Sequence, residues 1–203
     1  MSMSDKKHEG HYPHFDVMAA EEHWDDHTRE IVNNRLHITS LYPLQFLTLQ
    51  EANTLAQLCA LLLDDDNYPV ISFVVHHFDS TLQASIGESQ RLIGVPPQAV
   101  LIRDGLALLD RACLLQYGSY LDGCESDIQQ SIINELMQGS FPLQSAQKHV
   151  VTHDLMQKVL AEAVSAYYSY PTVWSEIGYA GPAYPRGYVR SELGLIDPWE
   201  AKQ

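Results

Sequence analysis

Basic side chains are scarce in this chain: 12 Lys and Arg stand against 26 Asp and Glu in 203 residues, a formal charge of -14 at pH 7. Nucleic acid and anionic membrane both demand a basic surface, so neither is expected as the main partner. Cysteine is scarce as well. Cys59, Cys113 and Cys124 are odd in number and scattered, which is no disulfide framework. They sit in or beside apolar helical patterns and read as buried thiols. A zinc or iron–sulfur site wants tighter spacing and a fourth ligand. No apolar run reaches the length that spans a bilayer. The opening MSMSDKKHEGHYPHF has neither an apolar signal core nor a twin arginine. The chain read alone is therefore expected in the cytoplasm, with export as a passenger on a partner left open. Alternation with period two is missing too, so the strands of a nucleotide- or flavin-binding parallel sheet have no source.

What is present is helical periodicity. Asp16 is placed to cap a helix running to about Asn34, with Ala20, Trp24, His27 and Ile31 as a thin apolar stripe among Glu21, Glu22, Asp25, Asp26 and Glu30. Such a helix is marginal alone and is expected to dock on a neighbour. Residues 36–47, with Pro43 inside, read as a connection. Thr48 and Glu51 form a capping box that opens the first firm helix, carried by Ala52, Leu55, Cys59 and Leu62 to the acidic stop at Asp64, Asp65 and Asp66. Pro69 suits the first turn of a second helix with Ile71, Val74, Val75, Phe78 and Leu82 on its apolar face. The GVPP segment at 94–97 starts a third, apolar on most sides and so expected to be central, which Gly118 ends. A fourth, with Ile128, Ile132 and Leu136 inside, stops at Gly139. A fifth runs from near Thr152 through Leu155, Val159, Ala163 and Tyr167 to the Pro171 boundary. The fold class is all-α: a compact bundle of about five helices. A polar N-terminus and acidic helical arm (1–47) precede the bundle (48–170), and an irregular tail (171–203) follows it.

Catalytic constellations do not assemble. The patterns G-x-G-x-x-G, G-x-x-x-x-G-K-S/T and G-x-S-x-G are absent. Ten histidines invite a metal reading, in which His149 and His153, at i and i+4, share a helix face and join His76 or His77. No glutamate stands between His149 and His153 as in H-E-x-x-H, and surface or capping histidines are the plainer reading. Asp104 with Asp110, or Asp25 with Asp26, lies on a polar stripe as a solvated pair would. No nucleophile, base and orienting group come together.

The last quarter is different. Residues 167–199 hold eight of the nineteen aromatics, four of the ten prolines and four of the eleven glycines. Pro171, Pro182, Pro185 and Pro198 exclude a regular helix through it, and linkers are poor in Tyr and Trp. A long irregular segment this rich in rigid rings has to lie against its own domain or against another chain. Trp174, Tyr179, Tyr184, Tyr188 and Trp199 offer large area at low rotamer cost. Gly178, Gly181 and Gly187 allow unusual backbone, and Arg186 between Pro185 and Gly187 is placed to fork onto a carboxylate. Two alternatives stay beside docking: a stand-alone His-rich metal-binding helical protein, and a small helical scaffold whose tail packs on itself.

The run WSEIGYAGPAYPRGY at 174–188, followed by DPWE at 197–200, resembles the C-terminal signature of the gluconate 2-dehydrogenase subunit 3 family. Thr48 to Glu51, the RDGLALLD run at 103–110, Tyr117 with Gly118, and the helix ending at Gly139 fit as well, so the similarity covers roughly residues 47–200. The resemblance implies a cofactor-free, non-catalytic small subunit of a sugar or sugar-acid dehydrogenase, with no catalytic, cofactor or metal residue of its own. Its partner would be a large glucose–methanol–choline-type flavoprotein that binds FAD, performs the oxidation and needs the small subunit to mature. The implied partner-binding residues are Trp174, Glu176, Tyr179, Gly181, Pro182, Tyr184, Pro185, Arg186, Gly187, Tyr188 and Trp199. Many members carry a twin-arginine signal that exports both chains; none is present here.

Overall fold

The computed structural model describes residues 12–41, 43–85, 93–141, 152–187, 189–190 and 195–202. Among the described residues, seven α-helices and two short 3₁₀ helices make up the regular structure and no strand occurs. The helices are α1 (Asp26–Leu41), α2 (Leu49–Leu63), α3 (Tyr68–Gln83), α4 (Gln98–Tyr117), α5 (Ser126–Met137), α6 (Thr152–Tyr167) and α7 (Pro171–Ile177). The chain divides into two compact units. One is Thr39–Tyr167; the other joins Met1–Ile38 to Tyr168–Gln203.

The Thr39–Tyr167 unit is the five-helix bundle α2–α6. Its first helix starts as the capping box requires: Glu51 N donates to Thr48 Oγ1 (3.3 Å) and Thr48 N to Glu51 Oε2 (2.7 Å). It stops at Asp64, whose φ of 52° is left-handed. The acidic run belongs to the turn, as its poor fit to a helix C-terminus suggests. There Asp65 accepts from Asn67 N (2.8 Å) and from Tyr167 Oη (2.9 Å), fastening the turn to the end of α6. Helices α2 and α6 are the central pair, each packed on the others. Sequence pattern points to α4 instead. That helix buries Leu101, Ile102, Leu106, Leu109 and Cys113 on one side and leaves Val100, Leu114 and Leu115 exposed on the other. Apolar content alone does not say which faces find a partner.

Two buried carboxylates tie the bundle together. Asp79, 4 % exposed, accepts three consecutive backbone N–H groups, from Gln45 (2.8 Å), Phe46 (2.9 Å) and Leu47 (2.7 Å). Three charge-assisted bonds to one carboxylate hold the segment before α2 against α3. Asp110 on α4 accepts from Thr54 Oγ1 (2.7 Å) and Gln50 Nε2 (3.1 Å) on α2. Burial pushes its carboxyl above the ordinary range, against the pull of those two donors. On the α3–α6 seam, Glu162 meets Lys158 Nζ (2.9 Å) and His77 Nε2 (3.5 Å). The His77 bond first, then Lys158, hold Glu162 down to about 2, outweighing its burial. Cys59 and Cys113 are buried thiols, as expected, and burial lifts both to about 12, far from a reactive thiolate. Cys124 is part-buried, its Sγ 3.2 Å from Tyr120 O.

The second unit is built from both ends of the sequence. Asp16 caps as expected, accepting from Met18 N (2.9 Å), but it opens a 3₁₀ helix, Val17–His23, and not a long α-helix. Trp24 is extended, and a second cap takes over. Asp25 accepts from Thr28 N (3.2 Å) and Thr28 Oγ1 (2.5 Å) to open α1, which continues to Leu41 where a connection was expected. The break resets the helical phase. The buried residues are therefore Val17, Trp24 and Val32, while Ile31 is 42 % exposed. At the other end of the sequence, seven tail residues form α7. Pro171 stands in its first turn, where a missing N–H costs nothing, and Gly178 ends it with a φ of 75°.

Candidate functional site

The tail stands out in the sequence by its rings, and the structure sorts those rings into two sets. One set turns inward. Trp174 is 4 % exposed and joins Val17, Trp24 and Val32 in one core cluster, with Phe15 and Met18 against it. Its Nε1 donates to Tyr168 O (2.6 Å), Tyr179 meets it edge-on at 5.6 Å, and the Arg35 guanidinium lies 5.6 Å from its ring centre. Gly181 is buried beside them with a φ of 78°. A Cβ there would lie 2.7 Å from Trp24 Cζ2, so the indole occupies the place of a side chain. Gly178 has the same relation to Tyr12 and Ala201.

Arg186 is also turned inward. Its Nη2 donates to Ala180 O (2.7 Å) and Pro182 O (3.0 Å), and its guanidinium stacks over Trp199 at 5.0 Å. Nε and Nη1 are shielded from solvent and take no acceptor among the described residues. Burial lowers this guanidinium from its ordinary value, with Tyr179 and Asp197 opposing the shift. Asp197, which pattern reading passes over as a site, is the second pin. It is 3 % exposed and its Oδ1 accepts from Val189 N (2.9 Å) and Arg190 N (2.8 Å). The signal for it lies in the DPWE run: a Glu three residues after an Asp is capping-box spacing, and Asp197 N does donate to Glu200 Oε2 (2.9 Å). Ala201 N then donates to Gly178 O (3.3 Å), so the chain returns to the end of α7.

The other set faces solvent. Tyr184 is 69 % exposed and Val189 63 %; Ile177, Leu195 and Ile196 are each close to half exposed. Tyr179 is 40 % exposed. Pro185 and Gly187 are exposed, while Glu176 and Pro182 are half-buried. Tyr188 lies outside the described residues. Of the expected contact residues, Trp174, Gly181 and Arg186 thus organise the ribbon, and Tyr184 stands out from it. Periodicity could not make that division, because the ribbon beyond α7 has no repeat to read.

The histidines of the metal alternative do not converge among the described residues. His153 is exposed on α6, His76 and His77 are part-buried on α3, and His149 lies outside the described residues. No group of three or more His, Cys, Asp or Glu suited to a metal ion occurs among the described residues. No described helix is long and apolar enough to cross a membrane.

A family model, gluconate 2-dehydrogenase subunit 3, matches residues 49–181, from the start of α2 to the glycine against Trp24. The chain belongs to the gluconate 2-dehydrogenase subunit 3 family. The match takes in the whole bundle and the α7 end of the tail signature; residues 182–200 lie beyond it. Comparison with curated proteins and with solved structures returns no match. Membership of this family is consistent with an accessory subunit and implies a dehydrogenase partner.

Proposed function

We propose that this chain is the non-catalytic small subunit of an FAD-dependent, glucose–methanol–choline-type dehydrogenase acting on a sugar or sugar acid, which it binds, stabilises and helps to mature. Family membership over residues 49–181 carries this reading. The flavin resides in the partner, and this chain supplies no reacting group. Support comes also from the ribbon, where Tyr184, Val189, Leu195 and Ile196 are large, apolar and exposed within a short stretch. Single exposed apolar residues need no explanation, but several of them close together in the sequence suit a protein interface. The mechanism is linkage: a subunit that binds only the folded flavoprotein shifts its folding equilibrium, by about 2.7 kcal/mol when present at roughly 100 times its Kd.

Co-expression with the product of the adjacent reading frame, as the candidate flavoprotein, tests the proposal. The expected result is a yellow complex on a sizing column, with less flavin-loaded partner when this chain is left out. Tyr184→Ser with Ile196→Ser should weaken the complex and leave helicity intact. Turnover of substrate by the isolated chain, or a partner equally stable and flavin-loaded without it, overturns the reading. The inward set of Trp174, Arg186 and Trp199 favours a second reading, a scaffold whose tail serves only as its own cap. Unaltered complex formation by the Tyr184/Ile196 variant would support that second reading.

A further inference from the structure

We propose that the N-terminal segment, residues 12–38, is a brace that holds the docking ribbon in its binding shape, with Trp24 as the residue that seats it. The docking half of this inference rests on the function proposed above. Four contacts carry it, each joining the N-terminal segment to residues 168–181. Trp24, 2 % exposed, fills the notch that Gly181 leaves open. Val17 N donates to Ser175 Oγ on α7 (3.1 Å). Arg35 Nη1 donates to Ser169 O (2.8 Å) and covers the Trp174 ring. Tyr12 closes on Gly178 from the side where Ala201 also packs.

The exposed apolar residues hang from this braced stretch. Gly178 O receives Ala201 N, and Ala180 O receives Arg186, which carries Trp199; Asp197 in turn receives the amides of Val189 and Arg190. An isolated seven-residue helix and an irregular chain cannot order themselves, since nucleation is unfavourable and each fixed residue loses backbone freedom. The residues that meet the brace (Trp174, Gly181) are not those left exposed (Tyr184, Val189, Leu195, Ile196), so the brace and a partner use different faces of the same ribbon. Preordering the ribbon removes an entropy cost from association. Affinity for the flavoprotein then depends on Trp24, which the partner need not touch. The brace also lies wholly outside the family-matched span, which begins at residue 49.

The test uses the full-length chain, with Trp24→Ala and the milder Ser175→Ala, which removes the hydroxyl that accepts Val17 N (3.1 Å) and donates to Pro171 O (3.3 Å) within α7. Native-state hydrogen exchange is read at the amides of Val189, Arg190 and Ala201, and affinity is read against the co-expressed flavoprotein subunit. Trp24→Ala should speed exchange at those amides by about tenfold or more with α2–α6 unchanged, as expected for local opening around a lost core ring. Ser175→Ala should act in the same direction and less, and affinity should fall in the same order. Unchanged protection at the three amides in both variants overturns the brace. Faster exchange with wild-type affinity overturns its control of docking. Should Trp24→Ala also unprotect α2–α6, the Ser175→Ala result decides. A wild-type chain that binds no flavoprotein removes the functional reading and the docking half together, and the exchange data alone then uphold or overturn the brace.

Discussion

Replacing Gly181 by alanine should destabilise the N- and C-terminal unit and spare the helical bundle. Two costs add. At a φ of 78° any side chain meets the left-handed penalty, about 1–2 kcal/mol. The new Cβ would then lie 2.7 Å from Trp24 Cζ2 and 3.3 Å from Val17 Cγ2. Both neighbours are buried, and the indole is a rigid ring that cannot yield without opening the cluster it shares with Val32 and Trp174. Overpacking of this kind costs about 1–3 kcal/mol. The unfolded chain returns roughly 0.4–1 kcal/mol by losing freedom at the new alanine. The net is a loss of roughly 1–5 kcal/mol. Composition supplies the assay: all three tryptophans, Trp24, Trp174 and Trp199, belong to this unit, so tryptophan fluorescence reports it alone, whereas far-UV circular dichroism is dominated by α2–α6. In a denaturant titration of Gly181→Ala, the fluorescence midpoint should fall while the dichroism midpoint barely moves. Gly187→Ala is the control. Its φ is 70° and no atom of the described residues lies within 4 Å of the added carbon, so it meets the backbone penalty without the clash. Equal losses in the two variants, or no loss in Gly181→Ala, would refute the seating of Trp24 against Gly181.

The bundle offers three further tests. Asp79→Ala strands the amides of Gln45, Phe46 and Leu47, and should cost about 3 kcal/mol or more, seen as a lower thermal midpoint by circular dichroism. Asp110 has a folded-state pKa raised by burial, so the native state holds its proton more tightly, and this group's contribution to stability improves as pH falls through the raised value toward 3.8. Relative to wild type, Asp110→Asn should therefore gain stability as pH rises through the raised value, on top of the pH-independent cost of setting an amide donor where Gln50 and Thr54 meet an acceptor; a difference constant with pH would show that Asp110 is not the cause. Glu162 has the opposite sign: its folded value, about 2, lies below the ordinary 4.5, so its contribution is complete above 4.5 and is lost as pH falls toward 2. Glu162→Gln should flatten that part of an acid-unfolding curve, and a curve identical to wild type would remove Glu162 from the account.

The bundle helices are legible because their signals are local. The Thr48–Glu51 box, Pro69, Gly118 and Gly139 act within a turn of themselves, and three- and four-residue spacing says which side is apolar. The acidic turn after α2 is legible for the same reason. Beyond local signals the sequence says less. Nothing in the run from Tyr120 to Gln138 announces that Gln129 Nε2 will donate to Leu121 O (2.9 Å), and nothing near Asp79 shows that it will collect three amides from residues 45–47. Composition marks the candidate site, since rings, prolines and glycines crowd the tail, but composition has no direction.

Local chemistry written in the chain was thus enough to set the helices, their caps, the acidic surface and the presence of a ring-rich C-terminal ribbon. It also carried the family. Which rings would anchor the ribbon and which would stay exposed depended on folding. Trp174 meets Val17, Trp24 and Val32 across more than a hundred residues, and Gly181 has its reason in an indole from the other end of the chain. An irregular segment has no period to mark its inner side; that side is chosen by whatever it packs against, and the packing exists only once distant stretches have met.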